Sequence, residues 1–229
     1  MSKLSVGIVD ALRYVYGEWK DLGLLSIYVW GSILSDDFDI NHSDIDIIGI
    51  AADRLSITTE EEIQKYLENK KDNFKKIGFR ILYLSEMDGG EIKSNLAEYI
   101  PPKLLAHDFP AWRHVCGRKF KQSDFSIGVP TKEEAIQIQL RDIEKEINWT
   151  IESKDSQYVV KAIARLVDYS QNKRHPETPF SYKMIYENAG LGIEQETVNA
   201  IMDCKKSGWS SSLFDQHYDT FTKYINSFR

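Results

Sequence analysis

Apolar residues recur with two periods along this chain, and the period changes once. Up to residue 129, short runs of strand character alternate with helical patterns; from Thr131 onward the pattern is helical almost throughout. Ile8, Leu12, Val15 and Trp19 fall at three- and four-residue steps, the spacing of one helical face, and Gly23 stops that helix. The runs SIYVW (26–30), DIDIIGI (44–50) and FRILYL (79–84) are rich in β-branched and aromatic residues and are predicted as strands. Between the second and third, Thr59 and Glu62 have capping-box spacing at the head of a helix predicted to run through Lys75. Gly78 then releases the chain into the third strand. Pro101-Pro102 splits residues 89–109 into two short helices.

Beyond Pro130 a second capping box, Thr131 with Glu134, opens a helix whose apolar face is Ile136, Leu140, Ile143 and Ile147. Residues 159–169 (VVKAIARLVDY) form the most apolar helix of the chain, the expected centre of a bundle. Residues 181–189, 194–205 and 213–228 complete it, with Gly190, Gly192 and Gly208 at helix ends. Strand, short helix, strand, helix, strand followed by helices predicts an α+β protein: an α/β-like N-terminal half and an all-α C-terminal half, divided near Pro130.

Composition narrows the function classes. Of 229 residues, 42% are hydrophobic and 28% charged, as expected of a chain that builds its own core. The net charge of −6 disfavours broad nucleic-acid binding, which needs many cationic contacts to phosphate. The two cysteines, Cys116 and Cys204, lie far apart with no CxxC pair, and His42, His114, His175 and His217 show no metal-ligand spacing. Two lone thiols suit a reducing compartment. The N-terminus lacks the pattern of a signal peptide, and no run approaches the roughly 20 apolar residues of a membrane span, so a cytoplasmic protein without a membrane partner is expected.

The chemistry concentrates in YVWGSILSDDFDINHSDIDIIGI. A hydrophobic strand runs into Gly31-Ser32, and after eleven residues Asp44-Ile45-Asp46 opens a second strand. Alternation sends Asp44 and Asp46 to one face and Ile45 and Ile47 into the core. Two carboxylates about 7 Å apart suit a divalent cation with oxygen ligands. Gly31 lets backbone approach a phosphate closely, Ser32 adds a hydroxyl, and a short helix after it would turn amide N–H groups toward phosphate oxygens.

The spacing hydrophobic-Gly-Ser, then Asp-Ile-Asp in a hydrophobic strand, resembles the signature of the DNA polymerase β-like nucleotidyltransferase superfamily. A catalytic half followed by a helical bundle is similar in layout to the streptomycin/spectinomycin adenylyltransferases among the aminoglycoside nucleotidyltransferases. The resemblance implies a nucleotidyltransferase-fold mixed sheet with flanking helices in residues 1–129 and a helical bundle domain in residues 130–229. It implies Mg²⁺ held by Asp44 and Asp46 as catalytic and metal-binding residues, and an NTP, ATP foremost, at Gly31 and Ser32. Arg165 and Lys183 would reach the nucleotide phosphates from the bundle, and a small molecule would offer a hydroxyl as acceptor.

Two departures stand against the pattern. The third carboxylate expected on the next strand is replaced by Arg80 in GFRILYL, with Glu86 and Glu91 beyond the strand. The segment after Ser32 reads Ser35-Asp36-Asp37 and continues to Asp39, an acidic loop that would suit a cationic acceptor. A nucleotide-binding or regulatory protein without transfer activity, or a transferase acting on protein or RNA, is the alternative. The run AWRHVCGRKFK (111–121) is expected as a half-exposed helix or strand, and His107-Asp108 as an acid/base or capping pair.

Overall fold

The computed structural model describes residues 4–40, 43–53, 55–56, 58–70, 74, 76–153 and 156–229; His42 and Lys75 lie outside them, as do the side chains of 148–153. Helix α1 (Val6–Trp19) opens at Ser5, whose Oγ accepts the Ile8 N–H at 3.3 Å, and buries Ile8, Ala11, Leu12 and Val15 along one face. Strand β1 (Leu24–Trp30) leads into a 3-10 turn, Gly31–Leu34. Strand β2 (Ile45–Ala51), helix α2 (Thr58–Glu68) and strand β3 (Ile77–Tyr83) follow. Thr59 therefore lies inside the first turn of α2 rather than capping it. Three short helices, α3 (Leu84–Met87), α4 (Asn95–Tyr99) and α5 (Pro102–Asp108), precede strand β4 (Arg113–Gly117).

The sheet order is β3-β2-β1-β4, with β1 antiparallel to β2 and β4, and β2 parallel to β3. This is the expected α+β architecture: a mixed sheet with flanking helices, followed by a region that is helical throughout. Alternation along each strand feeds two cores. Ile27, Val29, Ile45, Ile47, Ile77, Phe79 and Ile81 join Ile8, Leu12, Val15, Ile63 and Leu67 of α1 and α2. Tyr28, Ile48, Ile50 and Leu82 point the other way, onto Leu96, Leu105, Phe109, Trp112, Phe120 and Phe125. Each such large side chain contributes about 1.5–3 kcal/mol of apolar burial.

The free edge of β3 is closed by side chains, because a buried N–H or C=O without a partner is costly. Gln64 donates to Ile77 O at 2.6 Å and accepts the Phe79 N–H at 2.6 Å; Glu60, one turn earlier, accepts the Ile81 N–H at 2.8 Å. Glu86, fully buried, accepts from Tyr83 N, Lys93 N, Ser94 N and Ser94 Oγ at 2.7–2.8 Å.

The remaining helices are α6 (Lys132–Ser153), α7 (Gln157–Gln171), α8 (Tyr182–Glu187), α9 (Ile193–Lys206) and α10 (Ser211–Asn226). The capping box at the head of α6 is formed: Thr131 N donates to Glu134 Oε2 at 3.0 Å and Glu134 N to Thr131 Oγ1 at 3.2 Å. Helix α7 packs against α6, α8, α9 and α10 and ends at Asn172 in the left-handed conformation (φ 49°). Beyond it Arg174 turns back to bond both oxygens of Asp168, Nε to Oδ2 at 2.9 Å, with both side chains buried. Ser170 and Tyr224 share a 2.7 Å hydrogen bond, and burial raises the Tyr224 hydroxyl pKa.

The chain forms two compact units, Met1–Val129 with Pro176–Phe180, and Pro130–His175 with Ser181–Arg229. Among the described residues no helix is long and apolar enough to cross a membrane.

The edge contacts carry a test. Gln64→Ala removes two hydrogen bonds from β3 and should destabilise the protein by about 2 kcal/mol. Glu86→Ala leaves three backbone N–H groups and a hydroxyl without their acceptor and should cost at least about 3 kcal/mol. Urea denaturation followed by tryptophan fluorescence reads both; equal stability of wild type and Glu86→Ala would contradict this account.

Candidate functional site

One end of the sheet gathers the sequence-predicted residues of the first unit. Strand β1 ends there, and β2 and β3 begin there, because β1 runs antiparallel to β2 and β2 parallel to β3. Asp46 sits in the middle, opposite Trp30 on β1 and Gly78 on β3. Its carboxylate has room because a glycine directly follows the strand on one side and the strand on the other carries one. A Cβ on Gly31 would lie 2.6 Å from Asp46 Oδ2, and Gly31 also has φ +80°. A Cβ on Gly78 would lie 3.7 Å from Asp46 Oδ1, an ordinary contact.

Asp44 lies one residue before β2, which starts at Ile45 rather than at Asp44 itself. Strand alternation keeps it on the side of Asp46, while Ile45 and Ile47 are buried as expected. Asp44 Oδ1 is buried and has no hydrogen-bond donor. A buried carboxylate oxygen without a donor is costly unless a cation faces it. Two carboxylates fit magnesium, which takes one or two from protein and fills its remaining positions with water and phosphate oxygens.

Ser32 is the second residue of the 3-10 turn; its carbonyl accepts Ser35 N at 2.9 Å and Ser35 Oγ at 3.1 Å. The short helix expected after Ser32 is this single turn, anchored by buried Ile33. No helix macrodipole builds up over one turn, so anion binding here would rest on amides and the hydroxyl alone.

No carboxylate of β3 joins the pair. Arg80 lies opposite Ile48, its Nη1 3.5 Å from Glu60 Oε1 and 3.1 Å from Phe79 O. The four donors on Glu86 come from the end of β3 at Tyr83 and from Lys93 and Ser94 of the loop that follows, where Glu91 is exposed. Among the described residues no three His, Cys, Asp or Glu side chains are grouped as a metal set. The acidic loop is tied to the opposite sheet face: Phe38 packs on the α1/α2 core, its ring 6.2 Å from that of Phe74. The His107 ring nitrogen Nδ1 lies 3.2 Å from Asp108 Oδ1. Burial pushes both Cys116 and Cys204 up to about 11, so both remain thiols at neutral pH and neither is a poised nucleophile.

Arg165 and Lys183 belong to the second unit. Arg165 is half-buried on α7 between buried Ala164 and Leu166. Lys183 is exposed on α8, with Nζ 3.8 Å from Glu187 Oε1 one turn on.

Two residues of this site gave little signal in the sequence. Gly78 reads as a helix stop, and only the parallel register shows that it opens space beside Asp46. Lys76 carries no sequence signal, yet its carbonyl accepts the Ile45 N–H at 2.9 Å and continues the β3 register to Asp44. The two glycines make a discriminating pair of variants. Gly31→Ala combines a left-handed backbone with an overlap on Asp46 and should lower stability by about 1–3 kcal/mol. Gly78→Ala should change it by less than about 1 kcal/mol. Thermal denaturation of the two variants decides, and equal effects would refute the asymmetry.

No protein-family model and no curated protein sequence matches the chain. Among solved structures it is similar to the spectinomycin adenyltransferase AAD(9) from Enterococcus faecialis, crystallised with ATP and spectinomycin. The TM-score is 0.59 at 12% sequence identity, over 98% of this chain and 99% of the other. Across nearly its whole length, this chain has the fold of that adenyltransferase.

Proposed function

We propose that the protein is a magnesium-dependent nucleotidyltransferase that moves a nucleoside monophosphate from an NTP, ATP foremost, to a hydroxyl of a small-molecule acceptor. The observation that carries this reading is Asp46 seated between Gly31 and Gly78, with Asp44 Oδ1 buried and without a donor at the same strand end. The shared fold with a protein crystallised with ATP supports it. Residues 1–129 would form the catalytic domain and residues 130–229 the bundle domain.

Asp44 and Asp46 would hold the metal. Magnesium, when bound, supplies neutralisation and alignment of the triphosphate. The Gly31 turn admits phosphate oxygens where a Cβ would block them, and Ser32 offers a hydroxyl donor. Arg165 and Lys183 are assigned the remaining phosphate charge. In the transfer the acceptor oxygen bonds to the α-phosphorus while the bond to the pyrophosphate oxygen breaks, in line. The work of these residues is positioning and charge stabilisation.

A second reading, a nucleotide-binding protein without transfer activity, is favoured by one observation: Arg80, not an acid, follows Gly78 on β3 and is tied to Glu60. Transfer to a protein or RNA is a third, and the charge of −6 weighs against RNA.

The test is pyrophosphate release from ATP, GTP, CTP or UTP with Mg²⁺ across a panel of aminoglycosides and other polyols. Asp46→Asn and Asp44→Asn should each lower turnover by about 100-fold or more with folding intact. Nucleotide binding without turnover on any acceptor would select the second reading. Full activity in Asp46→Asn would remove the site assignment.

A further inference from the structure

The register between β2 and β3 brings two cations to the face of the two aspartates. Asp46 lies opposite Gly78 and Ile48 opposite Arg80. The hydrogen bond from Ile45 N–H to Lys76 O carries this register one step further and sets Lys76 across from Asp44. The facing is fixed by neighbours on β3: Ile77, Phe79 and Ile81 enter the core under α1 and α2, whereas Leu82 enters the opposite one. A Cβ on Gly78 would point at the Asp46 carboxylate. Lys76, Gly78 and Arg80 therefore alternate onto the Asp44/Asp46 face, two cations with a bare glycine between them.

Lys76 is exposed. Arg80 is 49% exposed, and Nη1 is the guanidinium nitrogen that Glu60 and Phe79 O engage at the sheet edge. A guanidinium carries five N–H donors, so the group held at the edge by Nη1 still has others for an anion. The acidic loop that a polycationic acceptor would want is tied to the other sheet face through Phe38.

We propose that Lys76 and Arg80 form an anion subsite for the acceptor, which carries a phosphate or carboxylate group beside the hydroxyl that receives the nucleotide. This rests on the reading of the site as a nucleotidyl-transfer centre and names its acceptor class. Lys76 and Arg80 hold the anionic group by charge-assisted hydrogen bonds. Such an acceptor also balances the proton. As the hydroxyl oxygen bonds to the α-phosphorus and pyrophosphate departs with the bonding pair, the hydroxyl proton passes to the acceptor's own anionic oxygen and from there to solvent. A phosphate, with a second pKa near ~6, is the better proton acceptor of the two groups.

The full chain is incubated with ATP and Mg²⁺, and pyrophosphate is followed with glucose, glucose 6-phosphate, gluconate and an aminoglycoside as acceptors. Turnover is expected with the anionic sugars, faster with the phosphate than with the carboxylate. Lys76→Ala and Arg80→Gln should each raise KM for the anionic acceptor at least about tenfold, with the nucleotide Kd unchanged and Arg80→Lys restoring part of the loss. Calorimetric titration of glucose 6-phosphate, gluconate and inorganic phosphate into protein saturated with a non-hydrolysable ATP analogue reads the subsite without turnover. Preference for glucose or the aminoglycoside, unchanged KM in both variants, or no anion binding in the titration would overturn the proposal while nucleotide transfer stands. Failure of the chain to bind ATP with Mg²⁺ would instead remove the transfer reading, and the acceptor class with it.

Discussion

The contact between Gly31 and Asp46 is the constraint on which the site depends. A carboxylate in the middle of a sheet normally competes with the side chains beside it on the neighbouring strands. Here β1 turns away through a left-handed glycine at the point where Asp46 needs room, and β3 carries a glycine, Gly78, opposite it. The first of these positions tolerates no side chain, since an added carbon would overlap a carboxylate oxygen. The second leaves a margin. The order β3-β2-β1-β4 places Asp46 between these two glycines, and Asp44 precedes it on the same face because a strand alternates.

Around that contact the first unit is built as a sandwich of one sheet between unlike layers. Long helices α1 and α2 cover one face with aliphatic side chains. The other is covered by short helices and an aromatic group in which Tyr28 and Phe109 each meet Trp112 edge to face. The second core covers Ile48 and Ile50 of β2, and Asp46 stands at the strand end beyond it. The loop from α3 to α4 is held by Glu86, which acts as the centre of a turn rather than as a reacting acid.

Most of the fold was legible because it is written in local periods. The aliphatic steps of α1, the Thr131/Glu134 cap and the apolar face of α7 each depend on residues within a turn or two of one another. Strand β4 was legible only as an ambiguous run, for two physical reasons. It lies at the sheet edge, so its side chains are half-exposed and mixed in character, and a register shift beside Val115 interrupts its alternation. The candidate site could be assembled from sequence where its residues are close along the chain, as with Gly31, Ser32, Asp44 and Asp46. Gly78, Lys76 and the edge contacts of Glu60 and Gln64 are products of strand register, which a single sequence does not display. Arg80 could be read as a departure, but its attachment to Glu60 could not.

The side chains that close β3 have a consequence for how large this sheet can become. A strand with open N–H and C=O groups is a template on which another chain can add a strand. Gln64, Glu60 and Glu86 occupy those groups along the outer side of β3, while the bulge at Val115 and the exposed Arg113 disfavour pairing along β4. Growth of the sheet is thereby blocked on one side and discouraged on the other. Among the described residues the sheet stops at four strands, and its β3 edge is closed to a copy of this chain or a stray extended peptide.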